Sequence, residues 1–221
     1  MTAAYDEIAE WYDESVRQRA LLASDDLLES NLFQVLGDLR GLTVCDLACG
    51  QGHLSRRLAR GGAKVVGVDI SIKLLEIARR EEASEPCGIE YVHGDAEDLQ
   101  KLGVGLFDGV LCNLALMDID DLAATFQGVA GILRSGGWFV ATITHPCYSI
   151  PENRRYFHEG FWRSDFAGGV RGQVGARHRT LGTYLSALGE AGLLVRKAVE
   201  PEFPNRETPP ILILQCRHVG T

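Results

Sequence analysis

Acidic side chains that could bind a cation follow short apolar runs of this 221-residue chain. Asp46, Asp69 and Asp95 each stand at or near the end of such a run. The loop after Asp46 contains Gly50 and Gly52, and glycines there let a ligand approach the backbone closely. A pyrophosphate would be repelled by the Asp46 carboxylate, whereas an ammonium or a sulfonium would be attracted to it. The pattern therefore predicts a nucleotide-type site for a cationic, phosphate-free cofactor.

The residues after the next two apolar runs suit an adenosine. Asp69 lies 23 positions beyond Asp46, the spacing of a carboxylate that accepts ribose hydroxyls. Ile70 offers an apolar face to a purine, Asp95 can accept from an exocyclic amine, and the Ala96 N–H can donate to a ring nitrogen. Purely structural roles stay open for the three aspartates: a helix N-terminal partner for Asp46, an N-cap for Asp69 and a turn for Asp95.

Alternating apolar runs and helical periodicity predict the elements that hold these residues. Strands are predicted at 42–47, 64–68, 89–93, 108–113, 138–143, 194–199 and 211–216. Helices are predicted at 5–19, 25–39, 53–60, 74–80, around 122–133 and around 181–188. The alternation indicates a mostly parallel α/β sheet with ligands at the carboxyl ends of its strands. The last two strands lack a crossover helix, which predicts an antiparallel hairpin.

Five segments resemble, in order, the motifs of class I S-adenosylmethionine (SAM)-dependent methyltransferases of the small-molecule type. They are DLACGQG, VGVDIS, GDAEDL, FDGVLCNLALMDIDDL and GILRSGGWFV. The resemblance implies a Rossmann-like seven-stranded sheet of order 3-2-1-4-5-7-6, with strand 7 antiparallel and helices on both faces. Ala48 replaces the first glycine of the first motif, a mild change if its φ is negative.

The resemblance also implies the residues that bind SAM. The cofactor set is Tyr5, Tyr12, Asp46, Leu47, Ala48, Cys49, Gly50, Gly52, Asp69, Ile70, Ser71, Gly94, Asp95, Ala96, Asn113 and Leu114. Asp46, Ala48 and Gly50 are expected along the methionine. Asn113 and Leu114 are expected near the sulfonium.

The N-terminal segment YDEIAEWYDE resembles the YDxxAxxYD helix of the same family, which closes over the cofactor. Tyr5 and Tyr12 are therefore expected to cover the methionine end and help to exclude water. The other interpretation is an amphipathic helix packed on the sheet edge. We predict one methyltransferase domain over 1–221, with a helical lid at 1–40 and a substrate cap inserted at 145–179.

The fifth predicted strand ends in THPCY, which places His145 and Tyr148 at the ligand edge as candidate catalytic residues. His145 is the candidate base, since imidazole takes up a proton near neutral pH. A plain turn or capping role for His145 stays open.

The predicted cap is longer than an ordinary connection and contains six aromatic residues, including Phe166. Candidate acceptor contacts are Met117, Tyr156, Phe161 and Trp162, although a core role stays open for them. The cap also carries a basic run, which could bind an acidic group or form a solvated loop: Arg171, Arg177, His178 and Arg179.

Net charge and composition limit the classes of binding partner that we expect. The net charge of −8 disfavours nucleic acid. No signal-peptide pattern and no apolar run of membrane-spanning length occur in the sequence, and the six dispersed cysteines suggest reduced thiols. No carboxylate–histidine cluster has metal-ligand spacing, so no metal is predicted. We expect a cytoplasmic protein, either a monomer or a homodimer.

The sequence thus predicts methyl transfer from SAM to an O, N or C nucleophile of a small molecule, by in-line displacement favoured through proximity and orientation. Two alternatives stay open. One is a SAM-binding protein that does not methylate, such as a cyclase-like enzyme or a regulator. The other is a methyltransferase acting on protein or tRNA, although Asn113-Leu114-Ala115-Leu116 lacks the prolines typical of nucleic-acid amino-methyltransferases.

Overall fold

The structure, a computed structural model, describes residues 3–19, 23–148, 155–165, 168–204 and 206–220. The strands are β1 (Thr43–Leu47), β2 (Lys64–Asp69), β3 (Glu90–His93), β4 (Phe107–Asn113), β5 (Leu133–Thr144), β6 (Gly160–Trp162), β7 (Ala176–His178), β8 (Leu193–Val199) and β9 (Ile211–His218). The α-helices are α1 (Ala9–Arg19), α2 (Ala23–Leu36), α3 (His53–Arg60), α4 (Ile72–Ser84), α5 (Leu122–Ile132), α6 (Val170–Gln173) and α7 (Leu181–Glu190). Two 3₁₀ helices span Ala4–Ile8 and Ala96–Leu102. Within the described part of the chain, no helix is both long enough and apolar enough to cross a membrane.

Seven strands form one sheet of order β3-β2-β1-β4-β5-β9-β8. The first five are parallel, and β9 runs antiparallel to both β5 and β8. This confirms the predicted order 3-2-1-4-5-7-6, with β9 as its strand 7 and the closing hairpin antiparallel. The α/β fold class is confirmed as well.

Apolar clusters cover both faces of the sheet. One contains side chains from α2, α3 and α4, with Leu32, Leu58 and Leu75 fully buried. The other contains side chains from α5, α7 and the second 3₁₀ helix, including Phe126 and Leu99. Burial on both faces explains why the central strands are continuous apolar runs in the sequence rather than alternating ones.

The structure corrects two predicted boundaries. β5 begins at Leu133 rather than at 138, and its first residues, around Gly136-Gly137, are irregular: Phe107 pairs with Leu133, but Gly109 pairs with Trp138. Regular pairing thus begins at Trp138, where the sequence predicted the strand. The cap, within which the sequence predicted no helix or strand, contains α6 and a two-stranded sheet of β6 and β7. Its residues 149–154 and 166–167, including Phe166, lie outside the described residues.

Two glycines of the sheet give room to aromatic rings on the neighbouring strand. Gly67 is the register partner of Tyr91, and Gly109 is the register partner of Trp138. A Cβ on Gly67 would lie 2.8 Å from the Tyr91 ring, and one on Gly109 would lie 2.0 Å from the Trp138 ring. These rings fill the space that the missing side chains leave, so both glycines are needed for packing.

We predict that Gly109→Ala lowers the free energy of unfolding by about 1–3 kcal/mol, because the new methyl group must displace the buried Trp138 ring. Urea unfolding followed by circular dichroism measures this change. Gly189→Ala in α7 is the matched control, since nothing lies within 4 Å of its added Cβ. There the change should be neutral or stabilising by up to about 1 kcal/mol. Equal stabilities for the two variants would contradict the packing argument.

Candidate functional site

A cavity of about 840 Å³ lies over the carboxyl ends of β1 and β4. These two strands are neighbours, and the chain builds the sheet in opposite directions from them, with β2 and β3 on one side and β5 on the other. Such a topological switch point is where open α/β sheets bind ligands. The volume is within the range of small-molecule sites.

Eleven predicted site residues line this cavity. They are Tyr5, Tyr12, Asp46, Ala48, Cys49, Gly50, Asn113, Leu114, Met117, Tyr148 and Trp162. They come from the N-terminal segment, the glycine loop, the end of β4 and the cap, so four distant parts of the sequence meet in one place. Leu47 is instead fully buried in the core below the loop.

The backbone bends sharply where β1 and β4 end. Ala48 has φ of 56° and Leu114 has φ of 52°, a left-handed conformation that is uncommon for residues with a side chain. The replacement of glycine by Ala48 was expected to be mild if φ stayed negative, and that condition is not met. The Leu114 N–H is held by the carbonyl and the hydroxyl of Thr142, each at 2.9 Å, which fixes the bend after β4.

A buried tyrosine supports the glycine loop from below. Tyr91 projects from β3 so that a Cβ on Gly52 would lie 2.3 Å from its hydroxyl. Gly52 also has φ of 79°. Both the space and the conformation therefore require glycine at this position. The glycine brings the start of α3 close to the sheet.

Asp46 places a buried carboxylate at the cavity wall. Its side chain accepts a hydrogen bond from the Ser55 hydroxyl (2.5 Å), and the residue is 2% exposed. Burial raises the pKa of Asp46 to about 7, and the nearby Asp69 carboxylate adds to the shift, whereas the Ser55 bond opposes it. Among the described residues, Asp46 forms no ion pair with a lysine or an arginine. A cationic ligand would supply that missing charge.

Asp69 connects the glycine loop to α4. One carboxylate oxygen accepts from the Gly50 N–H and the other from the Ser71 N–H, both at 2.7 Å. Burial raises the pKa of Asp69, and these two backbone donors oppose the shift. Each oxygen retains a second lone pair for a ligand hydroxyl. The Ser71 side chain, predicted to bind the cofactor, is itself buried and caps α4 by accepting from Leu74 N–H (3.1 Å).

The residues predicted to bind adenosine do not line the cavity. Ile70 is half exposed beside the end of β2, as an apolar face for a ring requires. Asp95 caps the second 3₁₀ helix by accepting from Glu97 N–H (2.9 Å), and Ala96 is buried at its start. The Gly94 N–H donates to the Asp69 carbonyl (3.0 Å), which joins the ends of β2 and β3. Their cofactor roles stay predictions.

The N-terminal segment lies over the glycine loop. The rings of Tyr5 and Tyr12 pack edge to face with centroids 5.2 Å apart, and a Cβ on Gly50 would touch Tyr12 at 3.7 Å. Asp6 fixes the segment to α4, since its carboxylate accepts from the Ser71 hydroxyl (2.6 Å) and the Lys73 N–H (3.1 Å). The segment thus closes one side of the cavity.

A largely buried ion pair joins that segment to the cap. Asp118, in the loop after β4, accepts from the Tyr5 hydroxyl (3.0 Å) through one oxygen and from Arg171 through the other. Burial and the neighbouring carboxylate raise the pKa of Tyr5, so its hydroxyl stays protonated and donates. Arg171 also donates to the Gly175 carbonyl (3.1 Å). These bonds connect three separate segments around the cavity.

His145 does not occupy the position that a base requires. It is absent from the cavity wall, its Nε2 lies 2.9 Å from the Glu200 carboxylate, and its Nδ1 accepts from the Cys147 N–H (3.1 Å). Its own N–H donates to the Pro210 carbonyl (2.8 Å). Nε2 and the backbone N–H therefore hold the end of β5 against the connection between β8 and β9, and Nδ1 holds the turn at Cys147. This geometry supports the turn role of His145 over the catalytic one.

The aromatic residues of the cap divide into two groups. Trp162 and Tyr148 line the cavity. Tyr156 lies in a core of the cap, where its hydroxyl accepts from Leu181 N–H (2.7 Å) at the start of α7. Phe161 is half exposed and packs against Gly175 outside the cavity wall. The predicted substrate contacts of Tyr156 and Phe161 therefore have no support in this arrangement.

Several lining residues were not predicted for the site. Glu29 of α2 lies 2.6 Å from both His53 and Arg57 of α3, which joins the two helices. No spacing signal in the sequence connects Glu29 to the glycine loop. Arg171, Arg177 and Arg179 of the basic run, for which an acidic ligand and a solvated loop were both left open, also line the cavity.

Comparisons with known proteins agree with this geometry. A family described as a methyltransferase domain matches residues 45–141. A curated relative, the ubiquinone biosynthesis O-methyltransferase of Bordetella avium, is 32% identical over 136 residues. The match covers 61% of this chain and spans only 56% of the length of that relative.

Two solved structures are similar over most of their length. A SAM-dependent methyltransferase from Mesorhizobium loti is 30% identical with a TM-score of 0.72, covering 85% of this chain and 96% of that one. A structure described as a putative SAM-dependent methyltransferase, from Listeria monocytogenes, is 28% identical with a TM-score of 0.70. The match covers 86% of this chain and 96% of that one.

We predict that Asp118→Ala lowers the free energy of unfolding by about 2–3 kcal/mol, because it leaves Arg171 largely buried without its carboxylate partner. Chemical denaturation measures the loss. Asp120→Ala is the matched control: its carboxylate pairs with Arg177 but is 69% exposed, so the loss should be under about 1 kcal/mol. Equal losses in the two variants would show that burial does not distinguish the pairs.

Proposed function

The chain belongs to the family of SAM-dependent methyltransferases, and from this premise we propose that it transfers the methyl group of SAM to a nucleophile of a small organic molecule. The observation that carries the proposal is the buried Asp46 carboxylate, which faces a cavity at the switch point without a lysine or arginine partner among the described residues. Bound SAM would supply an electrophilic methyl group on a cationic sulfur.

The residues present fit that cofactor. Gly50 and Gly52 leave the backbone open to a ligand, and Asp46 would attract its positive charge. We assign Asp69 to the ribose and Ile70 to the adenine, beside the Asp95 and Ala96 edge. Gly94 and Ser71 support these positions through the backbone. Asn113 and Leu114 would face the sulfur, because they end the neighbouring strand at the cavity wall.

The surrounding segments would orient the acceptor and exclude water. Tyr5 and Tyr12 close the cofactor side, and the cap closes the other side through Arg171. Bringing the acceptor into line with the methyl group in a closed site accounts for most of the acceleration expected of such a reaction. Met117, Tyr148 and Trp162 would contact the acceptor. The curated relatives, whose name gives a quinone pathway, support a small-molecule acceptor.

Calorimetric titration with SAM and with S-adenosylhomocysteine tests the cofactor assignment. We expect both to bind with one site per chain, and Gly50→Val to weaken binding at least tenfold, because a side chain there enters the space beneath Tyr12. Gly189→Val on α7, away from the cavity, is the control and should bind as the natural protein does. Absence of binding would refute the assignment. S-adenosylhomocysteine release with an acceptor would separate methyl transfer from mere SAM binding.

We predict that SAM binding weakens as the pH falls below about 7. Burial raises the pKa of Asp46 to about 7 in the free protein, and a bound cation would lower that pKa by stabilising the carboxylate. Below about pH 7, binding must therefore remove the proton from Asp46, which weakens the binding. Affinity should fall by up to about tenfold per pH unit between about pH 7 and pH 5. Calorimetry at pH 6 in two buffers of different protonation enthalpy counts the released proton.

Asp46→Asn is the control for that experiment. The amide has the same shape but does not titrate, so the variant should bind SAM more weakly at pH 8 and lose the proton release at pH 6. If both proteins release the same number of protons, another group titrates and the role of Asp46 is wrong.

A further inference from the structure

We propose that the methyl acceptor is an anion, a small organic carboxylate whose charged group lies beside Arg179. This inference rests on the proposed function, since it names the chemical class of the acceptor in the same cavity. It starts from the basic run of the cap, which the structure places in the cavity wall.

Arg179 is a buried cation within a site. The residue is 9% exposed, and its guanidinium donates to the carbonyls of Leu116 (3.0 Å), Ile119 (2.6 Å) and Asp120 (2.8 Å). These neutral oxygens orient the group without cancelling its charge. A guanidinium has five N–H donors; the three carbonyls and the neighbouring Tyr184 hydroxyl use four, which leaves one for a ligand.

The described ion pairs around the cap leave Arg179 without a carboxylate partner. Arg171 pairs with Asp118, and Arg177 pairs with Asp120. Arg179 forms no salt bridge with any described residue, although the Asp120 carboxylate is close enough to be influenced by it. Among the described residues, Arg179 is thus the guanidinium of this cluster without a carboxylate partner, and it is the most buried of the three. Buried charges in proteins are normally paired, so an anionic ligand would complete this cluster.

The rest of this half of the cavity suits an organic skeleton. Met117, Trp162, Ala176 and Tyr184 contribute apolar surface to the wall near the cap. Tyr184 lies next to the Arg179 guanidinium, which opposes the rise in the Tyr184 pKa that burial causes. A flat apolar body with one carboxylate would therefore have a matching surface for each part.

The two halves of the cavity carry opposite charge. Asp46 places a carboxylate in the glycine-loop half, whereas Arg179 places a guanidinium without a carboxylate partner among the described residues in the cap half. A cationic cofactor and an anionic acceptor would each be attracted to its own half and to each other. A neutral acceptor would leave the buried Arg179 guanidinium without a partner of opposite charge.

The test compares carboxylates with amides of the same shape. The protein is first saturated with S-adenosylhomocysteine, and failure at this step refutes the proposed function rather than the present inference. Benzoate and benzamide, indole-3-acetate and indole-3-acetamide, and 4-phenylbutyrate and its amide are then titrated by calorimetry. We expect the carboxylate of at least one pair to bind tenfold or more tightly than its amide.

Variants of Arg179 assign that preference to its charge. Arg179→Met should reduce the preference to about onefold, and Arg179→Lys, which keeps the charge, should restore part of it. Arg196→Met on the exposed side of β8 is the control and should keep the full preference. Binding of S-adenosylhomocysteine reports whether each variant is folded. Equal affinities for carboxylates and amides in the natural protein, or an unchanged preference in Arg179→Met, would overturn the inference.

Discussion

The Asp69 carboxylate connects the parts of this molecule that must act together. It accepts hydrogen bonds from the Gly50 N–H in the glycine loop and from the Ser71 N–H at the start of α4. The Ser71 hydroxyl then donates to Asp6 of the N-terminal segment, which lies over the same loop. One buried side chain at the end of β2 thereby fixes the loop, a helix and the covering segment relative to one another. Buried hydrogen bonds to a carboxylate are strong, so this arrangement is rigid before a ligand arrives.

That rigidity has an electrostatic cost. Burial raises the pKa of Asp46 and Asp69, which means that two neighbouring carboxylates resist ionisation. The opposite condition holds across the cavity: Asp118 and Asp120 pair with Arg171 and Arg177, and the buried Arg179 has no carboxylate partner within the described part of the chain. Buried ionisable groups without a partner of opposite charge are common at ligand sites, because the ligand supplies the opposite charge. The same physical argument therefore applies to both halves of the cavity.

Features that depend on local pattern could be predicted from the sequence, whereas long-range side-chain contacts could not. The glycine loop followed from a local motif, and the sheet order was implied by the resemblance of five ordered motifs to a known family. Asp46 and Leu114 were expected at the ligand edge of the sheet, and both line the cavity there. The orientation of His145 depends on Glu200, 55 positions away, and no periodicity reveals such a pair. The basic run likewise left open whether Arg179 was solvated, because its carbonyl partners belong to the loop after β4.

The two left-handed residues explain why the cavity forms where it does. Each left-handed residue other than glycine costs about 1–2 kcal/mol, so Ala48 and Leu114 are held in place by their surroundings. Cys49 N–H donates to the Val68 carbonyl (3.0 Å), and Leu114 N–H is held by Thr142. Each bend turns its chain away from the neighbouring strand just beyond the sheet. Because β1 and β4 are adjacent, the two bends together open the space between the glycine loop and the cap. The strain at these positions is therefore part of the geometry of the site.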